Sequence, residues 1–264
     1  MNDSPATNPA HPATAPATAP VPMTAAPTRH VLALGLAAAR ANALPAILLW
    51  LIGSAIVASY YLWPAALPYF ERITAWRNAL GFIYPMISTA VFAGLIPYLM
   101  QALQRGDAPK RWSPVYLGYL LAFWAIKGVE IDLLYGFQAW LFGSGRDLAT
   151  LTSKTAFDQF IYVALWGGPT LVLGLLVAQT GFSISRMRQH LRRGWYLRLV
   201  LPVVIPNWLV WIPAVMLIYM LPTVLQLPMQ NVVLCLWVLM VMFMTGQQDN
   251  DIDPPATPAS PPRS

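Results

Sequence analysis

Charge is what this sequence has least of: Asp, Glu, Lys and Arg make up 10% of its 264 residues, against about a quarter in an average soluble domain. A soluble chain of this length covers its surface with polar groups, and too few are present here to coat one globule. With 57% of the residues hydrophobic, lipid has to be part of the solvent. Cysteine is almost absent. Cys235 stands alone in an apolar run, which excludes an intrachain disulfide or a thiolate metal site and leaves a small packing residue. The three histidines, His11, His30 and His190, fall in tails or a loop without metal-ligand spacing. Also missing are a glycine-rich phosphate loop, a Gly-x-Ser-x-Gly elbow and a credible Ser/His/Asp set. The sequence therefore predicts no metal, no cofactor and no enzymatic activity.

The net charge of +6 invites a nucleic-acid reading, but the basic residues sit beside hydrophobic stretches and do not interleave with exposed aromatics. A lipid bilayer is the better partner. The 11 tryptophans and 11 tyrosines agree, since amphipathic rings settle where hydrocarbon meets headgroup, as Tyr60, Tyr61 and Trp63 would at a helix end.

The fold class expected is all-α, a multi-pass transmembrane bundle of about six helices. Residues 1–29 are rich in Pro, Ala and Thr, cannot hold a helix or pack a core, and read as a disordered tail. Residues 246–264, acidic and then proline-rich, read as a second, short polar tail, leaving 30–245 as the membrane domain. A helix rises about 1.5 Å per residue, so roughly 20 apolar residues cross the hydrocarbon. Spans are expected near 44–63, 79–103, 115–140 and 157–178. The stretch from Leu199 to Gln248 has no charge, and as one helix it would run roughly 75 Å, so it must fold back. Pro222 and Pro228, near Gln226 and Gln230, offer the turn, giving spans near 199–221 and 223–244.

With six spans, one side of the membrane carries Arg29, Arg40, Arg105, Lys110, Arg111, Arg186, Arg188, Arg192, Arg193, Arg198 and Arg263, and the other Arg72, Arg77, Arg146 and Lys154. The positive-inside bias then places both termini in the cytoplasm, of a plasma (inner) membrane or, in a eukaryote, an organelle. Arg186, Arg188, Arg192 and Arg193 alternate with apolar residues, and either lie along anionic lipid headgroups or act only as a retention signal.

An ionisable residue inside a membrane costs at least about 2.5 kcal/mol on insertion scales, so each needs a partner or a wet cavity. At 100° per residue, Lys127, Glu130 and Gln138 make one polar stripe on the third span, facing a water-filled path or another helix. Lys127 and Glu130 can equally neutralise each other across i, i+3. Asp132 points away, sharing its side with Gly128 and Gly136, a small-residue face that lets a neighbouring backbone approach. Asp158 and Gln159 open the fourth span, where a helix N-terminus favours a carboxylate, with Lys154 one turn before. In the fifth span Asn207 and Trp211 are one turn apart, and Pro206 and Pro213 free backbone carbonyls that could line a cavity.

Lys154, then Asp158 and Gln159, followed by an aromatic-rich apolar run with Pro169, resembles a motif of the Mpv family, small four-span proteins of peroxisomal and mitochondrial inner membranes. The run from Asn207 through Trp211 to Pro213 is similar to that family's Asn-aromatic-x-x-Trp-Pro signature, with one residue inserted between Trp and Pro. Leu221, Pro222 and Trp237 match later positions, so the resemblance covers roughly the second half of the chain. Gln138 and Trp140 depart from the His-x-Trp-Tyr of many members, Ala164 stands near an expected proline, and Gln226 replaces a basic residue. The resemblance implies channel activity for small solutes. Two functions are therefore expected: a solute pathway lined by Lys127, Glu130, Gln138, Asp158 and Asn207, or a non-transporting scaffold that holds partners through the Asp132 seam and the basic loop. Self-association into a homo-oligomer is open in both.

Overall fold

The computed structural model describes residues 43–104 and 114–252; the N-terminal tail expected at 1–29, the basic residues Arg29, Arg40, Arg105, Lys110, Arg111 and Arg263, and the chain end beyond Ile252 lie outside them. Every regular element among the described residues is helical. Three helical stretches, Ile83–Met100, Leu148–Gln179 and Tyr196–Tyr219, are long and apolar enough to cross a membrane, and a bent pair, Ala46–Leu62 with Pro64–Leu80, raises the number to four if it counts as one span. An apolar, lipid-compatible all-α protein is the result.

The elements run in chain order as α1 (Ala43–Leu62), a 3-10 turn at Pro64–Ala66, α2 (Leu67–Leu80), α3 (Ile83–Thr89), α4 (Ile96–Gln104), α5 (Pro114–Phe142), α6 (Leu148–Ala156), α7 (Gly168–Gln179), α8 (Ile184–His190), α9 (Leu201–Tyr219) and α10 (Thr223–Ile252). Pro64 pushes the residue before it out of the helical region, so Trp63 is extended and α2 leaves α1 at 100°. Arg72 and Arg77 therefore sit on a helix where the sequence suggested only a loop. Gly81, at φ +51, takes the left-handed turn that ends α2.

Three wide π turns join helices into longer legs: Ala90–Leu95 links α3 to α4, Phe157–Gly167 links α6 to α7, and Tyr196–Val200 leads into α9. Each ends two residues before a proline: Pro97, Pro169 and Pro202. A proline ring inside a helix collides with the carbonyl four residues back, and that carbonyl lies in the π turn each time. Widening the turn gives the ring room. The residue before each proline then donates five residues back: Ile96 to Val91, Gly168 to Val163 and Leu201 to Tyr196.

Freed carbonyls near these turns are met by side chains, as an apolar surrounding requires. Tyr196 Oη donates to the Ala164 carbonyl at 2.8 Å, Trp208 Nε1 to Gln159 at 2.9 Å, and Thr170 Oγ1 to Trp166 at 2.8 Å. Outside the π turns, Trp50 Nε1 reaches the Val210 carbonyl at 2.9 Å.

Two boundaries differ from the sequence expectation. The Leu148–Gln179 leg begins at Leu148, because the Asp147 side chain caps it by accepting from the Thr150 amide at 3.0 Å. That amide and the Thr150 hydroxyl hold the Asp147 carboxyl below the usual carboxylate range, so the cap stays charged until the pH falls below that range. At the other end α10 continues through Gly246, where a tail was expected, to Ile252, the last described residue.

The core is built largely on α9, with Val204, Val210, Trp211, Ala214, Val215, Ile218 and Tyr219 buried where it meets α1, α6 and α10. Large apolar side chains such as Leu44, Leu51, Ile126, Leu165 and Leu209 face outward. In lipid those cost nothing, and helices associate through close packing and hydrogen bonds. Gly128 shows the packing limit. A Cβ there would run into the Pro85 carbonyl oxygen and the Thr89 side chain of α3, whereas one at Gly136 would meet nothing within 4 Å. The close approach on α5 is thus at Gly128, and Gly136 faces open space.

Gly128→Leu is therefore expected to lower the unfolding free energy of detergent-solubilised protein by about 1–3 kcal/mol, the cost of overpacking, and Gly136→Leu to leave it unchanged. Thermal unfolding followed by circular dichroism distinguishes them; equal shifts would contradict the seam.

Candidate functional site in the helical core

The α5 helix runs without a break, so a wheel of 100° per residue holds along its length. Lys127 and Glu130 of its polar stripe face the leg formed by α6, the π turn and α7. Lys127 Nζ donates to Glu130 Oε1 at 2.5 Å and to Thr170 Oγ1 of α7 at 3.0 Å. The Tyr162 hydroxyl donates to the same Glu130 oxygen, and the Lys127 ammonium lies 5.8 Å from the Tyr162 ring centre. Lys127 and Glu130 thus pair directly, and both hydrogen-bond the neighbouring leg. Asp132, on the far side of α5, meets Arg77 of α2 at 2.5 Å.

A second polar cluster forms where α5, α6 and α9 meet. Tyr219 Oη donates to Asp158 Oδ2 at 2.5 Å and accepts from Gln138 Nε2 at 2.9 Å. Gln159 Nε2 donates to the other Asp158 oxygen at 2.9 Å, and Asn207 Nδ2 reaches Gln159 Oε1 at 3.3 Å. Tyr135 packs edge-on against Tyr219, with ring centres 5.5 Å apart, and its hydroxyl donates to Gln230 Oε1 of α10 at 3.0 Å. The Lys154 ammonium also lies over the Tyr219 ring, 5.6 Å from its centre. Lys154 is 1% exposed and Asp158 5%.

Lys154 and Asp158 are one turn apart on the same leg, yet they form no direct ion pair. Tyr219 stands between them, its ring toward the cation and its hydroxyl on the carboxylate. A tyrosine suits both, since its π face is negative and its O–H is a strong donor. Two polar atoms of the cluster's neighbourhood, Gln138 Oε1 and Thr155 Oγ1, are buried with no hydrogen-bond partner among the described residues.

Of the residues singled out in the sequence, Gln138, Asp158 and Asn207 are brought together through Tyr219 and Gln159, while Lys127 and Glu130 join Tyr162 and Thr170 in a separate pair of contacts. Lys154, Asp158, Gln159 and Asn207 share the Tyr219 cluster. Trp211 is buried in the apolar core, and Pro213 is half-buried on the same helix. Arg186, Arg188, Arg192 and Arg193 are exposed on and after α8, at the far end of the Leu148–Gln179 leg.

Sequence reasoning missed Tyr219, Tyr162 and the Arg77 partner of Asp132. A signal for Tyr219 existed: Trp211, Val215, Ile218 and Tyr219 follow i, i+4, i+7, i+8 and form one face, so its hydroxyl was bound for the core. No comparable pattern pointed to Tyr162, which lies in a π turn. Two cavities, of about 430 and 450 Å³, lie elsewhere, at the end of the bundle where α1, α2 and the α9–α10 turn meet. No family model, curated protein or solved structure matches the chain.

Tyr219→Phe removes one donor from Asp158 and the acceptor of Gln138. Interhelical hydrogen bonds in membranes average about 0.6 kcal/mol, but stranding a buried partner costs more, so a loss of about 1–3 kcal/mol in unfolding free energy is expected. Lys127→Met and Glu130→Gln should each destabilise, and the double variant should recover part of the loss, because one partner alone leaves a buried charge unmatched. Strict additivity in that cycle would contradict the pairing.

Proposed function

We propose that the chain is a multi-pass integral membrane protein of six helical legs and that the Lys154–Tyr219–Asp158 centre belongs to a pathway for a small solute, closed in this conformation. The observation that carries this reading is the separation of Lys154 from Asp158. Lys127–Glu130 and Arg77–Asp132 are direct contacts at 2.5 Å, as charges are when they only fasten helices. Lys154 and Asp158 are held apart by a tyrosine, while Gln138 Oε1 and Thr155 Oγ1, like Arg77 Nε in the fastening pair, have no hydrogen-bond partner among the described residues, so the separation itself is what sets this centre apart. Ionisable and unsatisfied groups inside an apolar bundle are expensive, which favours a role in passage over a role in packing.

Six legs are supported by the gathering of the α1 end, the α5–α6 connection and the α9–α10 turn around one cavity, as alternation of direction requires. The α5 helix, although charged, is 29 residues long, enough to cross, and its charges are paired. Kinship with the Mpv family is supported by the meeting of four of its motif residues, Lys154, Asp158, Gln159 and Asn207, in one cluster. In this reading both termini face the cytoplasm, the exposed arginines after α7 lie against anionic headgroups, and the protein is not an enzyme. A scaffold without transport is the second reading, favoured by the direct pairing of Asp132 with Arg77 and the tight Gly128 contact.

Purified protein in liposomes should raise permeation of small polar solutes, measured by vesicle swelling; Asp158→Asn should change the rate by about tenfold, the scale of one lost hydrogen bond to a charged group, and Lys154→Met, which removes the cation from the Tyr219 ring, by a similar factor. Vesicles as tight as protein-free controls, with a stable partner recovered by cross-linking, would sink the pathway and leave the scaffold.

A further inference from the structure

The cavity of about 430 Å³ at the end of the bundle carries chemistry that the core clusters do not use. It lies between Tyr60 and Tyr61 at the end of α1, Ser144 and Arg146 in the α5–α6 connection, and Thr223 and Gln226 at the start of α10. Its size suits a small molecule.

Two of its groups are held in place with their binding capacity unspent. The Arg146 guanidinium lies 4.5 Å from the Tyr61 ring centre, and the Tyr61 hydroxyl is itself tied to the Met220 carbonyl, so the platform under the cation is fixed. No carboxylate among the described residues pairs with Arg146. The nearest in sequence, Asp147, is turned into its helix cap, with both oxygens on Thr150. Gln226, by contrast, is 2% exposed. Its Nε2 donates to the Leu221 carbonyl at 3.0 Å, which fixes the amide's orientation, and its Oε1 has no partner among the described residues. A guanidinium calls for an anionic oxygen, and a stranded buried carbonyl calls for an N–H or O–H donor. No acidic residue among the described ones lines the cavity, so the donor is received by a neutral acceptor.

We propose that this cavity binds a small zwitterion, with a phosphate or carboxylate oxygen on Arg146 and an N–H donor on Gln226 Oε1. Such a ligand comes either from the headgroup of an aminophospholipid or from a free amino acid or amino phosphate. The site stands whether or not a solute crosses the core.

The test uses the full chain in maltoside micelles and isothermal titration with two matched pairs: phosphoethanolamine against phosphocholine, and glycine against glycine betaine. The second member of each pair keeps its charges and loses its N–H donors. At least one amine-bearing probe is expected to bind at least tenfold more tightly than its methylated counterpart. Arg146→Gln, at an exposed position, should weaken that binding tenfold or more, and Gln226→Leu should abolish the discrimination. Competition by phosphatidylethanolamine, but not phosphatidylcholine, in nanodiscs assigns the ligand to the lipid; absence of competition assigns it to the aqueous phase. Binding by neither amine-bearing probe, equal binding within both pairs, or indifference to Arg146→Gln overturns the proposal.

Discussion

Hydrocarbon offers no hydrogen-bond partner, and this chain is organised around that constraint. A polar side chain on an apolar helix can be satisfied only by another helix, so each such residue dictates a neighbour. Gln138 commits α5 to α9 through Tyr219, Thr170 commits α7 to α5 through Lys127, Tyr196 commits the start of the α9 leg to Ala164, and Trp50 commits α1 to the backbone of α9. Apolar packing cannot do this, because leucine is as comfortable against lipid as against protein. The order of the bundle is carried by a small number of donors and acceptors and by the places where a glycine lets backbones touch.

The ionisable groups divide by how they satisfy the same constraint. Two pairs neutralise by contact and hold α5 to itself, to α7 and to α2. The third, Lys154 with Asp158, neutralises at a distance across an aromatic ring. Direct contact is the cheaper arrangement, so the inserted tyrosine is the feature that separates a candidate site from a fastener. Its hydroxyl is bonded on two sides, to Gln138 and to Asp158, which makes α9 the element that senses both of its neighbours at once.

Much of this was legible in the sequence. Scarcity of charge gave an apolar helical protein, the uncharged length after Leu199 required a turn near Pro222 and Pro228, which the chain makes at Met220–Pro222 with Pro228 inside α10, and the wheel of α5 separated the stripe of Lys127, Glu130 and Gln138 from Asp132 and Gly128. Those inferences held where the helix is regular. They failed at element ends, since Asp147 caps a leg that hydropathy begins nearer Phe157, and helix continues past Gly246. They also failed for partners. Tyr162 and Arg77 look like any aromatic and any loop cation until the fold places a carboxylate beside them.

The wide turns have a consequence for anyone comparing this chain with another. A π turn advances the helix with more residues per revolution, so the side chains after it are out of phase with those before it. In the Leu148–Gln179 leg, Lys154 addresses Tyr219 while Thr170 addresses Lys127, two different neighbours from what hydropathy treats as a single stripe. The same slip follows Ala90 and Tyr196. To an alignment or a helical wheel such a leg reads as though a residue had been inserted, and the prolines at 97, 169 and 202 mark where the count should be restarted.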